Sequence, residues 1–256
     1  MGSAKTRPTA DETFVQDLVW QTPKPASGWL LPVRALRLLL RICRRDLSTI
    51  FGFTYNHDRF GSIVSASGKG SDLIQTAIIR EALPGLLREL NVTSMLDAPC
   101  GDFYWMRYVD LPATYIGMDI VRELVRHNEE TYGGRGKTFM EGDLTSDALP
   151  QVDLVLCRDC LVHLSLRMAK AAIQNIAHSG AKYLLATTFP ATTRNKDIIS
   201  GGWRPLNLQL PPFSFPQPVR LINENCTQQN GRYPDKSLGL WSVDEITPLV
   251  LRKNRF

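Results

Sequence analysis

Long apolar runs are scarce in this chain. The most hydrophobic stretch, "WLLPVRALRLLLRICRR" at residues 29–45, is interrupted by arginines and too short to span a bilayer, which takes about 20 apolar residues in a row. The opening "MGSAKTRPTADETF" has no apolar core of the kind a secretory signal needs. The five cysteines (Cys43, Cys100, Cys157, Cys160 and Cys226) are odd in number and scattered. They do not form a disulfide framework, and reduced thiols in a cytoplasmic protein fit them best. A strong excess of one charge is also missing. Thirty Lys and Arg against 25 Asp and Glu leave a formal charge of +5. A nucleic-acid binder would show a basic stripe interleaved with aromatics, so nucleic acid is not an expected partner.

What is present is ordinary for a folded protein: 256 residues, 43% hydrophobic and 21% charged. That length suits one α/β domain with additions rather than two separate enzymes. Residues 1–55 read as an N-terminal extension carrying a basic amphipathic helix. Arg34, Arg37, Arg41 and Arg44 share one helix face, and Leu36, Leu39, Leu40 and Cys43 another. Packing on the domain with solvated arginines is the favoured reading of the Arg34–Arg45 helix. Weak contact with an anionic membrane surface is the alternative.

Residues 56–256 read as the main domain. A Gly/Ser loop, "SASGKGS", leads into a helix whose expected apolar stripe runs through Ile74, Ala77, Ile78, Leu86, Leu87 and Leu90. Short apolar runs then alternate with helical segments: "SMLDAPCG", "TYIGMDIV", "KTFMEGDL", "VDLVLCRD" and "AKYLLATTF". Alternation at this pitch predicts an α/β fold, a Rossmann-like parallel sheet wrapped by helices on both faces. The tail adds a Pro-rich loop, "LQLPPFSFPQP", read as covering a substrate, and two more strand-like runs.

In such sheets ligands bind outside the carboxyl ends of the strands. After the first run, Gly101 lets the backbone approach a ligand, and Asp97 can meet a cationic or hydroxylated group. The three-glycine dinucleotide fingerprint is absent. The loop instead holds one glycine, Pro99 and the acidic Asp102, and a pyrophosphate would meet two carboxylates there. Asp119 ends the second run, where an acid accepts from ribose hydroxyls. Asp143 ends the third, where it can meet an adenine amino group. These three features describe S-adenosylmethionine better than NAD.

The ordered set "LDAPCGD", "GMDIV", "GDL" and "DLVLCRDCLVHL" resembles the class I S-adenosylmethionine-dependent methyltransferases. It is most similar to a bacterial-type group whose first motif reads Asp-x-Pro-Cys-Gly-Asp-Phe-x-Trp-Met. The likeness runs from "SASGKGS" to "LGLWSVDEI". It implies a seven-stranded, mostly parallel sheet and a methyltransferase activity. By the same resemblance Asp97, Cys100 and Gly101 line the methionine end, Asp119 takes the ribose, and Asp143 and Leu144 take the adenine. Arg158 and Asp159 stand at the edge of the methyl-transfer site. Pro99 and Phe103 replace glycines of the commoner motif.

"DLVLCRDCLVHLS" spaces Cys157, Cys160 and His163 three residues apart. With no second Cys pair the stretch offers at most three zinc ligands, so no metal is expected and the cysteines read as packing residues. Asp159 and His163 are the catalytic candidates, His163 as a general base of near-neutral pKa. Thr187 and Thr188 end a strand and are candidates for substrate contact. Trp203, Arg204 and Asn207, in the segment after it, are the substrate-binding candidates, with Arg204 suited to an acidic group. The expected acceptor is an oxygen or nitrogen of a small molecule or glycan. The rivals are an NAD-dependent oxidoreductase and a non-catalytic methyltransferase-like binding module.

Overall fold

The computed structural model describes residues 47–57 and 64–251. All of them fall in one compact unit, Asp46–Phe256. The expected Arg34–Arg45 helix lies outside the described residues. Helix α1, Leu47–Asn56, assigned from sequence to the N-terminal extension, belongs to this unit, and Leu47 is buried in its core.

The other elements follow the expected alternation. Helix α2 (Ala77–Glu89) precedes strand β1 (Ser94–Asp97) and β2 (Thr114–Asp119). Helix α3 (Arg122–Tyr132), β3 (Lys137–Glu141), β4 (Leu154–Cys157), helix α4 (Leu166–His178) and β5 (Tyr183–Thr188) come next. Strands β6 (Arg220–Asn223) and β7 (Ser237–Ser242) and helix α5 (Val243–Val250) complete the unit. The seven strands form one sheet in the order β3-β2-β1-β4-β5-β7-β6, and β7 alone runs against the rest.

Strand pleating explains why the apolar runs are continuous rather than alternating. Along β4, Leu154 and Leu156 point into one core while Val155 and Cys157 point into the other. A strand covered on both faces needs apolar residues at every position. One core takes Ile79, Leu83, Leu86 and Leu87 from α2. The other takes Ala169, Ala172, Ile173 and Ile176 from α4, and Val243, Ile246 and Val250 from α5. Ser165 caps α4, its hydroxyl accepting from the Met168 N–H at 3.3 Å, as a first-turn serine does.

Two expectations are corrected here. Ile74 lies ahead of α2 and is 80% exposed, and Ala77 and Ile78 are exposed within it, so the buried stripe of that helix runs through Ile79, Leu83, Leu86 and Leu87. The chain there is still in turns, with Asp72 accepting from the N–H groups of Ile74 and Gln75. The Pro-rich loop does not cover a cavity. Phe213 and Phe215 are buried in the α4/α5 core, and the Phe215 ring lies 5.3 Å from that of Trp241. Among the described residues, no helix is long and apolar enough to cross a membrane.

The order of the strands decides where a ligand can sit. From β1 the chain moves out to β2 and β3, then returns to β4 on the other side of β1. The loops after β1 and β4 therefore diverge and leave a crevice at the carboxyl ends of the strands.

Candidate functional site

A cavity of about 610 Å³ fills that crevice. Of the residues singled out from sequence, Asp97, Cys100, Gly101, Asp119, Asp143, Leu144, Arg158, Asp159, His163 and Trp203 line it.

The loop after β1 is shaped by Gly101, whose φ of +55° suits glycine. A Cβ there would collide with the Ser67 side chain, so the position has no room for a side chain. The Gly101 N–H donates to Oδ2 of Asp119 at 3.0 Å, and the Val121 N–H donates to Oδ1 at 2.9 Å. Each carboxylate oxygen can accept a second hydrogen bond. Asp119 is thus aimed and half-satisfied by backbone at the end of β2, with capacity left toward the cavity. Burial raises its pKa above the ordinary carboxylate value, opposed by those N–H donors.

Asp97 lies deeper, 3% exposed, and accepts from the Tyr115 hydroxyl at 2.7 Å. Burial pushes its pKa up to about 7, against the Tyr115 hydrogen bond and the charge of Arg158. Burial likewise lifts the Cys100 thiol well above its usual range, which keeps it protonated. Asp143 uses Oδ1 to accept from the Thr145 N–H and hydroxyl, both at 2.7 Å. Leu144 forms apolar wall beside it.

Asp102 also lines the cavity, but its carboxylate is already engaged by the Gly/Ser loop. It accepts from the Ser65 hydroxyl (3.0 Å), the Ala66 N–H (2.7 Å) and the Ser67 hydroxyl (3.0 Å). It thereby ties the Gly/Ser loop over the β1 turn. Arg158 holds the same loop further along, its guanidinium donating to the Gly70 carbonyl at 2.8 Å.

Arg158 and Asp159 belong to a charge quartet that spacing did not reveal. Arg158 reaches Glu224 at 2.6 Å and Asp159 at 3.3 Å, while Lys236 reaches Asp159 at 2.6 Å and Glu224 at 3.2 Å. Two positive and two negative groups leave no net charge. The Arg158 and Glu224 side chains are 4% and 1% exposed. Burial opposes the charged form of Asp159, but Lys236 and Arg158 outweigh it and bring its pKa down to about 2. At that value it is a poor proton acceptor. Its N–H also donates to the Thr187 hydroxyl at 2.8 Å, and its φ is +51°. Asp159 is therefore a fixed corner of the quartet rather than a base.

His163 follows in the short turn Leu161–His163. Its Nδ1 bonds the Gly202 carbonyl at 2.8 Å. A carbonyl only accepts, so Nδ1 carries the hydrogen, and in the neutral ring Nε2 is the basic nitrogen. Burial lowers the pKa of His163, partly countered by the Gly202 bond and Asp159.

Two substrate candidates are corrected. Arg204 is 5% exposed and donates to the carbonyls of Lys196, Leu161 and Leu164. Asn207 donates to the carbonyls of Pro190 and Thr192. Both hold the 190–210 segment in place and neither lines the cavity. Thr187 and Thr188 are buried and bonded to the backbone N–H groups of Asp159 and Leu208. Trp203, by contrast, does face the cavity, beside Phe189 and Tyr233. Sequence reasoning missed Tyr233, Phe189, Lys236 and Glu224. Nothing local distinguishes them, because they converge only through the β5–β7–β6 end of the sheet. Cys157 is packed in the core, while Cys160 is half-buried and reaches the cavity wall.

No protein-family model and no curated protein matches this chain. Solved structures do. A magnesium protoporphyrin IX methyltransferase from Synechocystis with bound SAH aligns at 22% identity over 47% of this chain and 58% of that one, TM-score 0.39. The same enzyme with bound SAM aligns at 21% identity over 60% and 81%, TM-score 0.42. An S-adenosylmethionine-dependent methyltransferase from Clostridium acetobutylicum aligns at 14% identity over 43% and 50%, TM-score 0.38. This chain thus spans about half to four-fifths of the length of these proteins. Likeness at this level says nothing of substrate. The sheet itself, with its strand order, its reversed β7 and helices on both faces, is the Rossmann-like class I methyltransferase fold.

Proposed function

We propose that this protein is an S-adenosylmethionine-dependent methyltransferase acting on an oxygen or nitrogen of a small molecule or glycan. The observation that carries the reading is Asp119, held by two backbone N–H groups at the end of β2 and facing the cavity. A carboxylate so placed accepts from vicinal ribose hydroxyls. The donor set fits the rest of that cofactor. Asp97 and Asp119 near the Gly101 turn suit a cationic sulfonium and ammonium. Beside that turn a pyrophosphate would meet the carboxylates of Asp97 and Asp119, while Arg158 is engaged by Glu224, Asp159 and the Gly70 carbonyl. Asp143 and Leu144 remain the adenine side of the reading, and Cys100 and Gly101 the methionine side. The first-motif group with Asp-x-Pro-Cys-Gly-Asp-Phe-x-Trp-Met is the kinship we infer. The four described cysteines are all free, which supports a reducing, cytoplasmic setting.

When bound, the cofactor supplies a methyl group on a positively charged sulfur. The chain's task is to place an acceptor in line with it, exclude water and receive a proton. His163 is the group suited to the proton, being neutral and oriented by Gly202. Asp159 and Arg158 shape the wall beside it. Calorimetric titration with S-adenosylhomocysteine tests the reading, with Asp119→Ala expected to abolish the signal. No heat and no thermal stabilisation at millimolar ligand, or stabilisation by NADH instead, would reject it.

A further inference from the structure

The end of the cavity beyond His163 is built unlike the acidic end. Trp203 and Tyr233 are half-buried and line it, with the buried Phe189 behind them. The three rings touch one another edge-on. Their centroids are 5.9 Å apart for Phe189 and Trp203, 5.8 Å for Phe189 and Tyr233, and 4.8 Å for Trp203 and Tyr233, with planes 87°, 82° and 61° apart. A guest between two ring faces needs them about 7 Å apart, twice a carbon contact distance. These rings are therefore a platform with a guest on its surface, not a cage around a methylated ammonium.

Charge narrows the guest further. Arg158, Lys236, Asp159 and Glu224 cancel within their quartet, and burial keeps His163 toward its neutral form. Among the described residues, Lys69 is the remaining cation lining the cavity, and it stands exposed at the mouth. Gln228 and Gln229 line the same cavity. A primary amide donates and accepts at once, matching a pair of neighbouring hydroxyls. An apolar platform with amides at its rim and a neutral base beside it matches a ring with one apolar face and hydroxyls at its edge.

We infer that the methyl acceptor is a hydroxyl of a neutral sugar ring, seated on Trp203 and Tyr233 with Gln228 and Gln229 at its edge and the reacting hydroxyl toward His163. This rests on the methyltransferase reading above. In the transfer, the sugar oxygen bonds to the methyl carbon as the carbon–sulfur bond breaks. The sulfur keeps that electron pair and becomes a neutral thioether, and the hydroxyl proton passes to the His163 imidazole. Trp203 and Tyr233 act as specificity-determining residues that orient the ring.

The test uses the full chain with S-adenosylhomocysteine bound and a panel of a methyl hexoside, a methyl hexuronide, a methyl aminohexoside and 4-methylphenol. Binding is read by saturation-transfer NMR, and methylation by label from S-adenosylmethionine. The neutral hexoside should bind through its ring hydrogens and take up label on oxygen. Tyr233→Ala should weaken it at least tenfold while the Kd for S-adenosylhomocysteine changes less than twofold. Gln229→Ala, at an exposed position, should weaken it about threefold and covers the case in which Tyr233→Ala fails to fold. Preference for the uronide would show that Lys69 recruits an acid and would overturn the inference. So would preference for the phenol or the amino sugar, or indifference to both substitutions. Binding of S-adenosylhomocysteine without binding of any hexoside rejects this inference alone. Failure to bind S-adenosylhomocysteine rejects the underlying reading as well.

Discussion

The Nζ of Lys236 lies 2.6 Å from Oδ2 of Asp159, joining the residue just before β7 to the loop after β4 across 77 positions of sequence. The pair turns a carboxylate that looked catalytic into the half-buried corner of a neutral quartet whose other three members are buried. Removing one cation leaves an uncompensated charge, which costs about 3–5 kcal/mol in such sites. Lys236→Met should therefore lower unfolding stability by about 3 kcal/mol in urea titrations. The double variant Lys236→Met/Glu224→Gln restores neutrality and should recover part of that loss. A Lys236→Met protein within 1 kcal/mol of the parent would mean the quartet is solvated.

Asp97 predicts a pH-dependent affinity. Its carboxyl, pushed to about 7 by burial, is mostly protonated below that pH in the free protein. A cationic ligand favours the ionised form, so S-adenosylmethionine should bind more tightly as pH rises from 6 to 8. The limiting slope is about tenfold per pH unit below 7, with proton release visible by calorimetry in two buffers. Asp97→Asn should flatten the profile. A raised folded-state pKa also means that stability falls as pH rises from about 4 through 7. The free Asn variant should thus gain Tm over the parent at pH 8 and little at pH 5. A flat binding profile in the parent rules out this role.

His163 predicts an acid limb in the pH–rate profile. The base works unprotonated, and burial lowers its pKa from the usual value near 6.5. The rate should climb with pH below 6.5 and level off by neutrality. His163→Gln can still donate to the Gly202 carbonyl, so the fold is expected to hold while kcat falls about 100-fold and the limb disappears. An unchanged kcat would show that positioning alone suffices.

Asp153 is a stability prediction remote from the cavity. Its Oδ2 accepts from the Thr93 N–H and hydroxyl, both at 2.8 Å, and from the Ser94 N–H and hydroxyl at 3.0 and 3.1 Å. Lys182 pairs with Oδ1 at 2.7 Å, and together these hold the carboxyl well below its usual range. Asp153→Ala should cost about 3 kcal/mol in chemical denaturation. Because the folded pKa is depressed, that contribution is complete above about pH 4 and is lost as pH falls further. The gap between variant and parent should narrow progressively as pH falls below about 4, and a gap unchanged between pH 5 and pH 2 would contradict this.

Much of this was legible along the chain. Strand-length apolar runs that alternate with helical periodicity can be buried only on both faces of a sheet, so "SMLD", "TYIGMD", "LVLC" and "YLLATT" announce the fold. Asp97, Gly101, Asp119 and Asp143 were legible for a related reason. A residue at the carboxyl end of a parallel strand is delivered to the crevice by chain direction alone. Ile74 misled because helical spacing was counted before the helix had begun.

What the amino-acid order determined by itself is local: period, turn chemistry, and which acids end which strands. What only the tertiary structure decided is long-range pairing. Whether Asp159 was a catalytic group or a half-buried counter-ion depended on Lys236 and Glu224 arriving from the far end of the sheet. Arg204 and Asn207 had the right chemistry to hold a substrate, but backbone carbonyls claimed them first. The aromatic platform joins Phe189, Trp203 and Tyr233 from three separate segments. The physical reason is common to all three cases. A polar or aromatic side chain takes its role from the partners that desolvate it, and those partners meet it only when the sheet assembles.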